Sequence, residues 1–275
     1  MIVSKPKLTF IGGGNMATSL IGGLVDKGYP ANAITATDPL EASRLKLAQS
    51  FGINTSDNNP QACADADVIL LAVKPQVMKS VLQGLAGALN HRPLIISIAA
   101  GISMDSLAGW LGGELPIVRC MPNTPALVQT GASGLYANSQ VSAEQKALAE
   151  QILQAVGIVC WLENEADIDV VTAVSGSGPA YYFLVMEIMQ RIGEELGLPE
   201  EVARQLTLQT ALGAARMALE SDVDSAELRR RVTSPGGTTQ RAIETFESGD
   251  LEALFRKAMN GAAERAREMA SELAD

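Results

Sequence analysis

Ser234-Pro235-Gly236-Gly237-Thr238-Thr239 sets three hydroxyls around two glycines, just ahead of a helical pattern striped by Gln240, Ala242, Ile243 and Phe246. Glycines carry no Cβ, so a ligand can come close to the backbone. The amides that open a helix lack internal partners, and the helix dipole favours an anion there. A small carboxylate suits such a loop; the plainer reading is a loop with a good N-cap. Near the front of the chain, Gly12-Gly13-Gly14-Asn15-Met16-Ala17 follows the apolar run Leu8 to Ile11 and leads into a helical pattern through Leu20, Ile21, Leu24 and Val25. Strand, glycine turn and helix in that order are the setting of a dinucleotide fingerprint. Gly12 permits the tight turn, Gly14 lets a pyrophosphate approach, and Ala17 fills the third small position. The alternative is a tight turn with nothing bound.

Other residues fall where ligands gather in an open α/β sheet, outside the carboxyl ends of the strands. Asp38 closes the run Ile34 to Thr37, 21 positions after Ala17. An acid there can bond the ribose hydroxyls of NAD, or it can cap the helix from Glu41 to Gln49 behind Pro39. Arg44 and Lys46 on that helix could offset its charge. Lys74 follows the buried run Asp67 to Val73, and Ala99-Ala100-Gly101 follows Leu94 to Ile98. Met121-Pro122-Asn123-Thr124-Pro125 follows Ile117 to Cys120, and its prolines oppose both helix and strand. The single histidine, His91, stands at the amino end of its strand and reads as a surface residue, so Ser–His or Cys–His chemistry has no evident base.

The elements that must position these groups divide into two styles. Residues 1–164 alternate apolar strands with helical patterns, which predicts an α/β domain with a mostly parallel sheet. Gly134 to Ala137 and Ile158 to Leu162 read as its last strands. Residues 165–275 carry only helical patterns, from Pro179 to Leu196, Pro199 to Leu219, Ser225 to Val232, Thr239 to Glu247 and Leu251 to Leu273. Several of these are small and apolar over most of their surface, as in Leu206 to Ala215, and such helices need burial that a subunit interface would supply. A net charge of -10 opposes nucleic-acid binding. No apolar run reaches the length of a membrane span, and the first residues show no signal-peptide pattern. The three cysteines, Cys63, Cys120 and Cys160, are spaced for neither a disulfide framework nor a zinc site. A cytoplasmic protein without metal is the expectation.

Six segments together, Gly12–Ala17, Ala72–Pro75, Ala99–Gly101, Met121–Pro125, Ser175–Tyr181 and Ser234–Thr239, resemble pyrroline-5-carboxylate reductase, in order and across essentially the whole chain. The resemblance implies reduction of 1-pyrroline-5-carboxylate to L-proline by NADPH or NADH. It implies an N-terminal Rossmann domain, a helical domain that dimerises by interleaving, and assembly of dimers into a decamer. It assigns the cofactor to Ile11, Gly12, Gly13, Gly14, Asn15, Met16, Asp38, Asn59, Ala72, Val73, Lys74, Pro75, Ala99, Ala100 and Gly101. It places the substrate between the loop holding Asn123 and the partner subunit's loop of Ser234, Gly236, Gly237, Thr238 and Thr239. There the carboxylate meets backbone amides and Thr239 bonds the ring nitrogen. Asp38 departs from the Ser, Asn or Arg that this family often carries at the adenine ribose, so the resemblance favours NADPH while the carboxylate favours NADH.

A protonated cyclic imine is already electrophilic, so holding two molecules in place is most of the task. A β-hydroxyacid dehydrogenase shares the general plan but needs a base, and no lysine or histidine lies between Glu163 and Arg256. A nucleotide-sensing protein without turnover would need the glycine fingerprint but neither Met121–Pro125 nor Ser234–Thr239.

Overall fold

The computed structural model describes residues 5–274. By compactness the chain parts into Met1–Ser177 with Ala262–Asp275, and Gly178–Gly261. The sequence places the boundary at 164/165, ahead of the helix that runs to Ser177, and assigns the whole C-terminal helix to the second domain.

The first unit is built on an eight-stranded sheet of order β3-β2-β1-β4-β5-β6-β7-β8. The strands are β1 Leu8–Ile11, β2 Ile34–Thr37, β3 Asn54–Ser56, β4 Val68–Leu71, β5 Leu94–Ser97, β6 Ile117–Met121, β7 Gly131–Ala137 and β8 Gly157–Trp161. All pairings are parallel except that of β6 with β7. The helices α1 Asn15–Asp26, α2 Glu41–Phe51, α3 Asn59–Cys63, α4 Pro75–Leu85, α5 Met104–Leu111, α6 Ala143–Leu153 and α7 Asp167–Val171 connect and cover it. Alternate residues of the central strands feed opposite cores: Leu8, Phe10, Val68, Leu70, Leu94 and Ile96 on one face, Ile11, Ile69, Leu71 and Ile95 on the other. That two-sided burial is why these strands read as continuous apolar runs.

Two segments depart from expectation. The Met121–Pro125 loop is not wholly irregular: Thr124–Val128 winds into a 3₁₀ turn with Pro125 in its first turn, where a missing N–H costs nothing. After α7, Thr172–Gly176 forms a π-turn, closed by Ser177 N–H donating to the Thr172 carbonyl at 2.8 Å. Residue Leu273 and Met269 pack on this first unit, Met269 against Gly101.

The second unit holds α8 Gly178–Glu195, α9 Glu200–Glu220, α10 Ser225–Arg231, α11 Thr238–Ser248 and the start of α12 Leu251–Glu272. Helices α8 and α9 meet at Gly193 and Ala203. Much of their apolar surface stays open, including Tyr182, Phe183 and Leu184 on α8 and Leu206, Leu208 and Leu212 on α9. No helix among the described residues is long and apolar enough to cross a membrane.

Candidate active site

The glycine turn is shaped by what touches it. Gly12 has φ +104, and a Cβ there would fall 2.6 Å from the Ala72 carbonyl oxygen. Its N–H donates to the Thr37 carbonyl at 2.8 Å, while Ala72 N–H donates to the Ile11 carbonyl at 2.8 Å. The ends of β1, β2 and β4 are thus drawn together at one residue that cannot carry a side chain. Gly14 is the N-cap of α1, with open space where its Cβ would be, so the first amides of α1 are reachable from the carboxyl edge. Asn15 is exposed and Met16 half-buried, whereas Ala17 is buried where helix and strand pack.

Asp38 is not the N-cap of α2, which is Leu40. Its Oδ2 accepts from Gly13 N–H at 3.0 Å and its Oδ1 from Leu40 N–H at 2.9 Å. The carboxylate ties the glycine turn to the β2–α2 connection. Asn59 opens α3 beyond the carboxyl end of β3, with Asn58 capping that helix through Gln61 N–H. Ala72, Val73 and Lys74 leave β4, Lys74 exposed, and Pro75 begins α4. Ala99, Ala100 and Gly101 leave β5 half-buried. Every residue assigned to the cofactor therefore lies along one edge of the sheet, and open space over Gly14 fits a dinucleotide pyrophosphate.

Asn123 is buried and its side chain is engaged internally: Oδ1 accepts from Ala132 N–H at 2.9 Å and Nδ2 donates to the Ser175 carbonyl at 3.1 Å. It fastens the proline-rich loop to β7 and to the π-turn. Cys120, just before that loop, is buried, and burial pushes its thiol up to about 12 although a Ser133 hydrogen bond pulls the other way. It stays protonated and is no nucleophile. His91 is exposed at the amino end of β5, with Nε2 2.9 Å from the Ala66 carbonyl, as the sequence expects.

In the second unit the Ser234–Thr239 loop turns at Gly236, φ +71. Gly236 N–H donates to Gln240 Oε1 at 2.6 Å and Gly237 N–H to the Ser234 carbonyl at 3.0 Å. Those two amides are spoken for. Thr238 and Thr239 open α11, whose first backbone bond within the helix runs from Arg241 N–H to the Gly237 carbonyl. Their amides precede any intrahelical partner. Ser234 and Thr238 are exposed and Thr239 half-buried.

Sequence reasoning passed over an ionic cluster in the first unit. Arg119 on β6 is 7% exposed and donates to Glu165 Oε1, which also accepts from Met104 N–H at 2.7 Å. Asp169 Oδ2 lies 3.9 Å from Arg267. Burial raises the Asp169 carboxyl above its usual range, against the pull of Arg119 and Arg267. The signal was available: a charge inside the apolar run Ile117–Met121 requires a buried partner.

Comparison with known proteins bears on both units. A family model described as pyrroline-5-carboxylate reductase dimerisation matches residues 165–269, and one described as NADP oxidoreductase, coenzyme F420-dependent, matches residues 7–101. The pyrroline-5-carboxylate reductase of Pseudomonas aeruginosa is 59% identical over 271 residues, covering 98% of this chain and 99% of that protein. The solved structure of a Coxiella burnetii pyrroline-5-carboxylate reductase has 47% identity and a TM-score of 0.93, over 96% of this chain and 98% of that one. The Plasmodium falciparum enzyme, solved with NADP bound, has 30% identity and a TM-score of 0.86, over 97% and 99%.

Proposed function

This chain belongs to the pyrroline-5-carboxylate reductase family, and on that footing we propose that it reduces 1-pyrroline-5-carboxylate to L-proline with NADPH or NADH. The observation that carries the reading is the cradle at the carboxyl edge, where Gly12 wedges against Ala72 and the amides opening α1 face free space. When bound, the nicotinamide supplies a hydride to the imine carbon. The chain's own residues bind and orient. Gly14, Asn15 and Met16 take the pyrophosphate, and Ala72–Pro75 with Ala99–Gly101 line the path toward the nicotinamide.

On the substrate side, the amides of Thr238 and Thr239 are the donors for the carboxylate, with Ser234 beside them. The Thr239 hydroxyl bonds the ring nitrogen. Gly236 and Gly237 contribute the turn rather than free amides, since theirs are occupied. Asn123 acts as a positioning residue that holds its loop. The family match over residues 165–269 and the open apolar faces of α8 and α9 support a homodimer through the helical segment 165–275. A ring of five such dimers and a cytoplasmic location are the finer reading.

Nicotinamide absorbance, followed with pyrroline-5-carboxylate and each cofactor in turn, tests the activity. Imine-dependent oxidation with proline as product is the expected result, and no turnover with either cofactor would refute it. Sedimentation on dilution tests assembly: an active monomer at micromolar concentration would contradict the dimer.

A further inference from the structure

The carboxyl ends of β2 and β3 hold a charge arrangement that the reading above leaves unused. Asp38 is turned toward two amides, those of Gly13 and Leu40, which partly satisfy its charge. Arg44, from the first turns of α2, reaches back over the same connection. Its Nη1 donates to the carbonyls of Asp38 at 2.7 Å and Pro39 at 3.1 Å. The side chain is only 18% exposed, so the guanidinium is held in place. Its Nη2 lies 3.9 Å from Asp57 Oδ2, just beyond β3, and the Asp57 side chain is 72% exposed. That distance is too long for a hydrogen bond. A fixed cation therefore faces a loose counter-ion.

We propose that Arg44 reads the 2′ position of the cofactor's adenosine, and that Asp57 is an internal anion which a 2′-phosphate displaces. The inference rests on the family reading of function. The ribose of a dinucleotide lies at the end of β2, where a nearby arginine can accommodate a 2′-phosphate. A planar guanidinium clamped by two carbonyls is pre-organised for a phosphate, and its fork matches the oxygens. A 2′-hydroxyl offers no charge, so NADH leaves the Arg44–Asp57 pair in place. The two residues then act on one cofactor with opposite sign: losing Arg44 weakens the phosphorylated form, and losing Asp57 strengthens it. General damage to the fold would not produce that pattern.

The test is calorimetric binding to the full chain of NADP⁺, NAD⁺ and 2′,5′-ADP, the last a probe without nicotinamide. Arg44→Gln should lower the NADP⁺ to NAD⁺ affinity ratio about 10- to 100-fold and weaken 2′,5′-ADP equally, the size of a lost charge-assisted bond. Asp57→Asn, at an exposed position that tolerates change, should raise that ratio roughly 2- to 5-fold. If Arg44→Gln weakens both dinucleotides alike or neither, or if Asp57→Asn leaves the ratio where it was, the inference is overturned. Should Arg44→Gln not fold, Asp57→Asn decides alone. Turnover of the imine by the unaltered protein tests the family reading separately, so an active enzyme whose affinity ratio ignores both substitutions sinks this inference only.

Discussion

Replacing Glu165 by glutamine tests whether one carboxylate holds the first unit's sheet to its helices. Glu165 Oε1 receives both Arg119 Nη1 and Met104 N–H, so it links β6 to the start of α5. Glutamine keeps the shape and removes the charge. Breaking a buried ion pair on one side costs about 3–5 kcal/mol, because the other charge is left uncompensated. Here the Arg119 side chain is 8% exposed but Glu165's is 30% exposed, so the carboxylate end of the pair keeps some contact with water. Asp169 remains near Arg119, and an amide oxygen still accepts one hydrogen bond. These reduce the expected loss to about 2 kcal/mol. For a chain of this size that lowers Tm by roughly 4–8 °C. Thermal and urea unfolding should be compared at one protein concentration, since assembly links Tm to concentration. Met104 follows the Ala99–Gly101 loop closely, so cofactor affinity should also fall. The double variant Arg119→Met with Glu165→Met should be less destabilised than Arg119→Met alone. Unfolding of Glu165→Gln within about 0.5 kcal/mol of the parent, or a double variant as costly as the sum of the singles, would refute the reasoning.

Thr239→Val should lower kcat/KM for the imine roughly 10- to 150-fold with cofactor affinity unchanged, the worth of a hydrogen bond to a charged group. A lowered Tm with normal kcat/KM would instead make Thr239 a structural hydroxyl. Gly12→Ala combines φ +104 with a Cβ 2.6 Å from the Ala72 carbonyl oxygen, so dinucleotide titration should show binding weakened at least about tenfold; normal affinity would mean that the turn yields easily. Asp169 has its folded pKa raised above the ordinary 3.8, chiefly by burial. Its contribution to stability is therefore full below that value and is lost as pH rises through the raised one. Asp169→Asn should flatten this part of the stability–pH curve, and an unchanged slope in acid denaturation would show that Asp169 titrates as it does unfolded.

What could be read from sequence follows from where each signal resides. Ile34–Thr37 matches the expected residues because apolar pattern and flanking breakers lie within the segment itself. Strand β3, Asn54–Ser56, leaves no apolar signature in the sequence: it is polar, and it is a strand only because it pairs with β2. Likewise β7 begins at Gly131 rather than Gly134, set by its register with β8. In the candidate site, residue types and sheet edge were legible, while the internal partners were not. Nothing in the order of residues says that Asn123 spends its amide on Ala132 and Ser175, or that Asp38 turns back onto Gly13.

Those internal partners share a logic across the two glycine-rich loops. In each, a side chain occupies an early amide before any ligand arrives: Asp38 Oδ2 on Gly13 N–H, and Gln240 Oε1 on Gly236 N–H. A loop with adjacent glycines has many conformations to lose, and ordering it on binding would be charged against affinity. An acceptor supplied by the chain removes much of that cost beforehand. It also leaves the helix-opening amides one step further along, at Gly14–Met16 in one loop and Thr238–Thr239 in the other, as the donors on which the proposed binding rests. Asp38 and Gln240 thus fix the backbone of each loop without spending the amides that open the following helix.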